Sequence, residues 1–170
     1  MAEREQGSIP SAVRYFEDFH VGQRDDLGSV VVTGADIVAF ARQFDPQPFH
    51  VDPQAARASA FGGLVASGWH TASLFMRLYV ERVLAHAASV LSPGVDELRW
   101  LRPVRPGDTL SARATVLACT PSRTRPDRGT VRILGEMTNH RGELVLRLRS
   151  AIVFQRRPAA HSPRAVGGSY

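Results

Sequence analysis

The order of two patterns limits this chain more than any other feature. A long stretch of helical periodicity, residues 65–87, is followed by nothing but strand-like alternation. In the helical stretch Trp69, Ala72, Met76, Tyr79 or Val80, and Val83 recur at the helical spacing, while Leu74, Phe75 and Leu78 fall on other faces. A helix apolar nearly all round is expected to be buried on most sides. After Ser92-Pro93-Gly94 the period drops to two, and residues 98–101, 110–119, 130–138 and 143–154 read as strands. One earlier β-branched run, 30–33, completes the set. This order predicts an α+β fold, an antiparallel sheet wrapped around one long buried helix.

Local signals divide the first third. Thr33 or Gly34 starts a helix with Asp36 in its first turn, and that helix must end before Pro46. Asp52 and Pro53 cap and open a short helix over 53–58, which Gly62 and Gly63 stop. At 170 residues the chain suits a single core. The expected division is a flexible N-terminus over 1–12, one domain over 13–154, and a basic, disordered tail over 155–170. Three of the 21 basic residues, Arg156, Arg157 and Arg164, lie in that tail with no acid beside them, so the body is only mildly basic despite a net charge of +5.

Composition excludes several kinds of chemistry. Every basic residue is arginine, so a Schiff-base lysine, a pyridoxal-phosphate lysine and a P-loop lysine are absent. No nucleic-acid-binding motif accompanies the basic tail, and no nucleic-acid partner is expected. Residues 64–88 are apolar-rich but interrupted by His70, Arg77, Glu81, Arg82 and His86, which argues against a membrane span. The first twenty residues carry no signal-peptide run. The single cysteine, Cys119, allows neither an internal disulfide nor a metal cluster and reads as an inert thiol, so a reducing cytoplasm is the expected setting. Ser67 lacks a nucleophile-elbow context. His50, Asp52 and His70 match no zinc spacing, and no metal is expected.

Asp45 and His50, in FDPQPFHVDP, are the candidates that remain. Pro46 and Pro48 stiffen the loop between them, and a carboxylate and an imidazole sharing a water can move protons at neutral pH. The same residues can equally cap a turn and bind a backbone carbonyl. Gly68, near the start of the long helix, adds amides with no helical partner and the positive end of the helix dipole. It can admit a carbonyl oxygen close to the backbone, or simply allow close helix packing.

Three segments, FDPQPFHVDPQAA, FGGLVASGWHTASL and LRWLRPVRPGDTL, resemble in order and spacing the MaoC-like dehydratases, or R-specific enoyl-CoA hydratases, of the hot-dog fold. The resemblance implies that Asp45 and His50 are the catalytic pair and that the Gly68 amide holds a thioester oxygen. It implies reversible syn hydration of a trans-2-enoyl thioester, carried by coenzyme A or acyl carrier protein, to the (R)-3-hydroxyacyl product. No metal or redox cofactor is needed, and a homodimer is implied. Gln47 stands where the family usually has asparagine and is expected near the site with Ser67. Trp69, Phe75, Met76 and Tyr79 are expected along the acyl tunnel, or else as core filler. The competing functions are a hot-dog thioesterase and a non-catalytic acyl-binding subunit.

Overall fold

Alternation builds the centre of the sheet. The computed structural model describes residues 13–158, so the expectations for 1–12 and for most of the basic tail lie outside the described residues. Strand β1 (Arg24–Val31) leads into helices α1 (Gly34–Phe44), α2 (Pro48–Val51), α3 (Pro53–Ala58) and α4 (Gly68–Arg82), then strands β2 (Ser89–Trp100), β3 (Thr109–Pro121), β4 (Arg128–Thr138) and β5 (Leu144–Gln155). On β3, Leu110, Ala112, Ala114 and Val116 point to the core; on β4, Val131, Ile133 and Met137 do so. Every neighbouring pair is antiparallel, in the order β1-β3-β4-β5-β2.

The core lies between this sheet and α4. Leu74, Phe75, Leu78 and Tyr79 join the inward residues of β3, β4 and β5 in one apolar cluster. The sheet makes room for the helix with small residues: Phe75 packs directly on Gly135, where a Cβ would overlap its ring. This is the α+β hot-dog arrangement, a five-stranded antiparallel sheet around a long central helix.

Four expectations need correcting. First, α4 begins at Gly68 rather than near residue 65, because the amides of Val65 and Ala66 bond to Phe49 of α2 and to Val104 instead of entering the helix. Second, the helix buries one side only. Trp69, Met76 and Val80 form an apolar outer ridge, 57%, 48% and 40% exposed in the single chain. Third, β2 starts at Ser89, nine residues before the expected 98, and carries Pro93 and Gly94 within it. It is an edge strand with three register shifts against β5, the setting in which a sheet tolerates proline. Strand β1 likewise covers 24–31 rather than 30–33, with a register shift near Gly28. Fourth, the tail does not come loose at 155. Gln155 belongs to β5, Arg156 pairs with Glu17 at 2.8 Å, and Arg157 pairs with Asp18 at 2.8 Å.

The packing of Phe75 on Gly135 sets a test of the core. Gly135→Ala is expected to destabilise the protein by about 1–3 kcal/mol through overpacking, read from urea unfolding midpoints.

Candidate active site

Prolines place the histidine. Helix α1 ends at Phe44, and Asp45 follows as its C-cap at φ −154°, ψ +69°, outside the helical region that Pro46 disfavours for the residue before it. Pro48 then supplies the first position of α2, a single helical turn, so His50 sits on a short helix rather than on an irregular loop. Asp52 caps α3 by accepting from the amides of Gln54 and Ala55. One proline at each helix start thus allows two turns to follow α1 without continuing it.

His50 is buried, and its Nδ1 lies 2.7 Å from the carbonyl oxygen of Val65. A carbonyl only accepts, so Nδ1 carries the proton and, in the neutral ring, Nε2 presents a lone pair. That Nε2 is 3.4 Å from Asp45 Oδ2. The Ser67 hydroxyl donates to the same Oδ2 at 2.7 Å, and the Gln47 amide donates to Oδ1 at 2.8 Å. The Ser67 bond first, then those of Gln47 and the charge of His50, hold the Asp45 carboxyl below its ordinary value, against the opposing effect of burial. Asp45 is therefore ionised at neutral pH and positioned on both oxygens.

These groups line one wall of a cavity of about 460 Å³. Gly68 and Trp69, at the first turn of α4, share it with Phe49, Phe61 and Trp100. As the first helical residue, Gly68 has an amide with no intrahelical acceptor, at the positive end of the helix. The expected residues therefore divide. Asp45, Gln47, His50, Gly68 and Trp69 come together at the cavity. Ser67, expected to bind substrate, does not line the cavity: it is fully buried and acts as the cap of α4 and the donor to Asp45. Phe75, Met76 and Tyr79 line a second, apolar cavity of about 170 Å³ between α4 and β2. Phe75 and Tyr79 are core residues, and burial pushes the Tyr79 hydroxyl far above its ordinary value.

The other candidates are placed elsewhere. His70 stacks on Phe40 at 4.8 Å, away from His50, and Asp52 is committed to its cap, so no histidine–aspartate cluster forms among them. Among the described residues no group of three or more His, Cys, Asp and Glu is arranged to hold a metal. Cys119 is half-buried against the Phe19 carbonyl, and burial raises its thiol. The residues that the sequence did not expose are Trp100, Phe49 and Phe61, together with the Val65 carbonyl. The cap role of Ser67 was missed because the helix was expected to begin at residue 65; serine directly before Gly68 is the signal that marks it.

A hot-dog fold carrying a carboxylate–imidazole pair beside the start of its central helix is an arrangement suited to proton transfer next to a carbonyl group. The chain belongs to the MaoC-like family, whose domain model, MaoC like domain, matches residues 19–136. It is 32% identical over 114 residues to a 3-hydroxybutyryl-CoA dehydratase of Methylorubrum extorquens, covering 66% of this chain and 70% of that protein. An (R)-specific enoyl-CoA hydratase of Rhodospirillum rubrum is 30% identical over 112 residues, covering 65% of this chain and 75% of the relative. Among solved structures, a MaoC-like dehydratase from Rhodospirillum rubrum superposes with a TM-score of 0.80 at 50% identity, covering 86% of this chain and 99% of that one.

A lowered carboxyl pKa has a sign for stability. Asp45 contributes fully above its unfolded value, near 3.8, and the contribution is lost as pH falls through the lower folded value. Ser67→Ala removes the main cause, so its stability deficit relative to the wild type is expected to be largest near neutral pH and to shrink below about pH 4. Urea midpoints from pH 3 to pH 7, on the two proteins side by side, check this; a deficit independent of pH rejects it.

Proposed function

We propose that the protein hydrates trans-2-enoyl thioesters reversibly to (R)-3-hydroxyacyl thioesters. One observation carries the proposal: the bare Nε2 of His50 and the ionised Oδ2 of Asp45 face each other at 3.4 Å beside the cavity that Gly68 lines. Two acceptors so close are satisfied by one water that donates to both, and its remaining lone pair is free to attack C3. As the C3–O bond forms, an O–H bond of that water breaks and a proton is delivered to C2. The electrons displaced from the double bond collect on the thioester oxygen, which the Gly68 amide stabilises, and return to form the C2–H bond. Asp45, fixed by Ser67 and Gln47, takes or holds the charge; His50, fixed by Val65, relays the proton.

Coenzyme A or acyl carrier protein thioesters are the proposed substrates, and no resident cofactor enters the scheme. The relatives named as a 3-hydroxybutyryl-CoA dehydratase and an (R)-specific enoyl-CoA hydratase support the reaction class. Arg102 lines the cavity, and Arg105 donates to the Phe61 carbonyl nearby, so both suit the phosphates of a carrier. Arg123 and Arg125 sit in the β3–β4 turn at the opposite end of the sheet from Trp100 and are not part of this proposal. A cytoplasmic setting belongs to the same reading, given one cysteine and no disulfide. Among the described residues no helix is long and apolar enough to cross a membrane.

A homodimer is part of the proposal. The outer ridge of α4 and the open edge of β2, with Val90, Leu91 and Val95 at least 38% exposed, present apolar surface beside unpaired strand groups. A second copy placed edge to edge covers both.

Crotonyl-CoA tests the reaction. Loss of the conjugated thioester's ultraviolet absorbance, without release of free thiol, is the expected result. Asp45→Asn and His50→Ala are each expected to lower kcat by about 10²–10⁴-fold while remaining folded. Thiol release favours a thioesterase instead, and no change in either channel across acyl lengths favours a non-catalytic acyl-binding subunit. Sedimentation tests the assembly: the wild type is expected as a dimer and Leu91→Glu as a monomer, and equal masses reject that interface.

A further inference from the structure

The wall of the cavity beside Gly68 is made by a residue with no assigned role. Trp100 is the last residue of β2, held there by pairing with Leu146 of β5. Its indole lies on the first residue of α4: a Cβ at position 68 would come within 2.5–2.7 Å of three indole ring atoms. Its Nε1 also donates to the Gly68 carbonyl oxygen at 2.7 Å. Trp69, the next helical residue, meets the same ring edge-on at 5.3 Å. Both tryptophans of the chain thus stand on one wall of one cavity, next to the amide that carries the positive end of α4.

We infer that Trp100 is a positioning residue for the carbonyl-binding amide of Gly68, and that position 68 is glycine because the indole occupies the space of a side chain. The inference rests on the hydratase reading for what that amide binds. Its physical content is independent of it. A helix N-terminus held only by its own cap can tilt, because the first amides lack intrahelical partners. Here the Ser67 cap holds α4 from the Asp45 side and Trp100 holds it from the sheet side. The amide is thereby fixed relative to both the carboxylate and the strand that closes the cavity. The bond is also selective for indole, since phenylalanine fills much of the same space but has no N–H to donate.

Two substitutions and a double-mutant cycle test this. Trp100→Phe is expected to lower kcat for crotonyl-CoA by about tenfold and to raise KM, with the pH profile little changed, because a small misplacement of the amide weakens its hold on the carbonyl oxygen and costs rate. A merely structural role predicts a changed melting temperature with kcat intact. Because Trp100 is half-exposed, Gly68→Ala is met by displacement of the indole rather than by unfolding. Its loss of activity is therefore expected to be non-additive with Trp100→Leu, whose smaller side chain leaves room for the Cβ. Unaltered kcat in Trp100→Phe, or additive losses in the cycle, overturn the inference; the latter means that glycine is needed for the ligand alone. The hydratase reading can fail separately, so calorimetry with butyryl-CoA, which has the carbonyl but no double bond, is run on the same proteins. Should the wild type bind butyryl-CoA without hydrating crotonyl-CoA, the hydratase reading falls. Weaker binding by Trp100→Phe then still supports the positioning role, and equal binding rejects it.

Discussion

The Ser67 hydroxyl joins the two halves of the site. It accepts from the Trp69 amide, which starts α4, and donates to Asp45 Oδ2, which ends α1. One oxygen cannot serve both partners unless the helix start and the carboxylate are held at a fixed separation, so their geometry is set by a single buried group. The positive end of α4 adds a favourable field for the ionised carboxylate. A buried hydroxyl with both capacities used is also fully satisfied, so burying it costs little.

The segments around that hydroxyl are tied by backbone bonds. Residues 65 and 66 lie between α2 and the segment that leads to β3: Val65 bonds to the Phe49 carbonyl and Ala66 to the Val104 carbonyl. Val104 precedes the turn at Pro106-Gly107-Asp108, where Gly107 has a φ of +88°, open to glycine at little cost. Asp108 closes the turn by accepting from the Arg105 amide, and Gly107 bonds to the Val32 carbonyl that leads into α1. Three stretches far apart in the chain thus become neighbours through main-chain bonds, which make few demands on side chains.

Much of this was legible beforehand. The alternating strands followed directly from side chains that point to opposite faces, and Asp52 and Pro53 marked where α3 begins, whereas Pro48 read as stiffening a loop and not as the start of α2. The errors share a cause. Pro93 and Gly94 read as a break because local propensity carries no information on whether a strand lies at an edge, where both are tolerated. Phe75, Met76 and Tyr79 share a helix with Trp69, yet line a different cavity, because the helix is long enough to face two spaces. Gln47, one methylene longer than asparagine, still reaches Asp45, and only its rotamer shows that.

Residue types and short-range backbone limits were determined by the sequence alone: a carboxylate and an imidazole five positions apart across two prolines, a glycine at a helix start, and no lysine anywhere. Tertiary structure decided which of these meet. Ser67 reaches Asp45 across 22 positions, and Trp100 reaches Gly68 across 32. The physical reason is the range of the forces involved. Steric limits and capping act within a turn of chain, whereas the separation of two distant side chains depends on how a helix seats on a sheet, which the whole core sets at once.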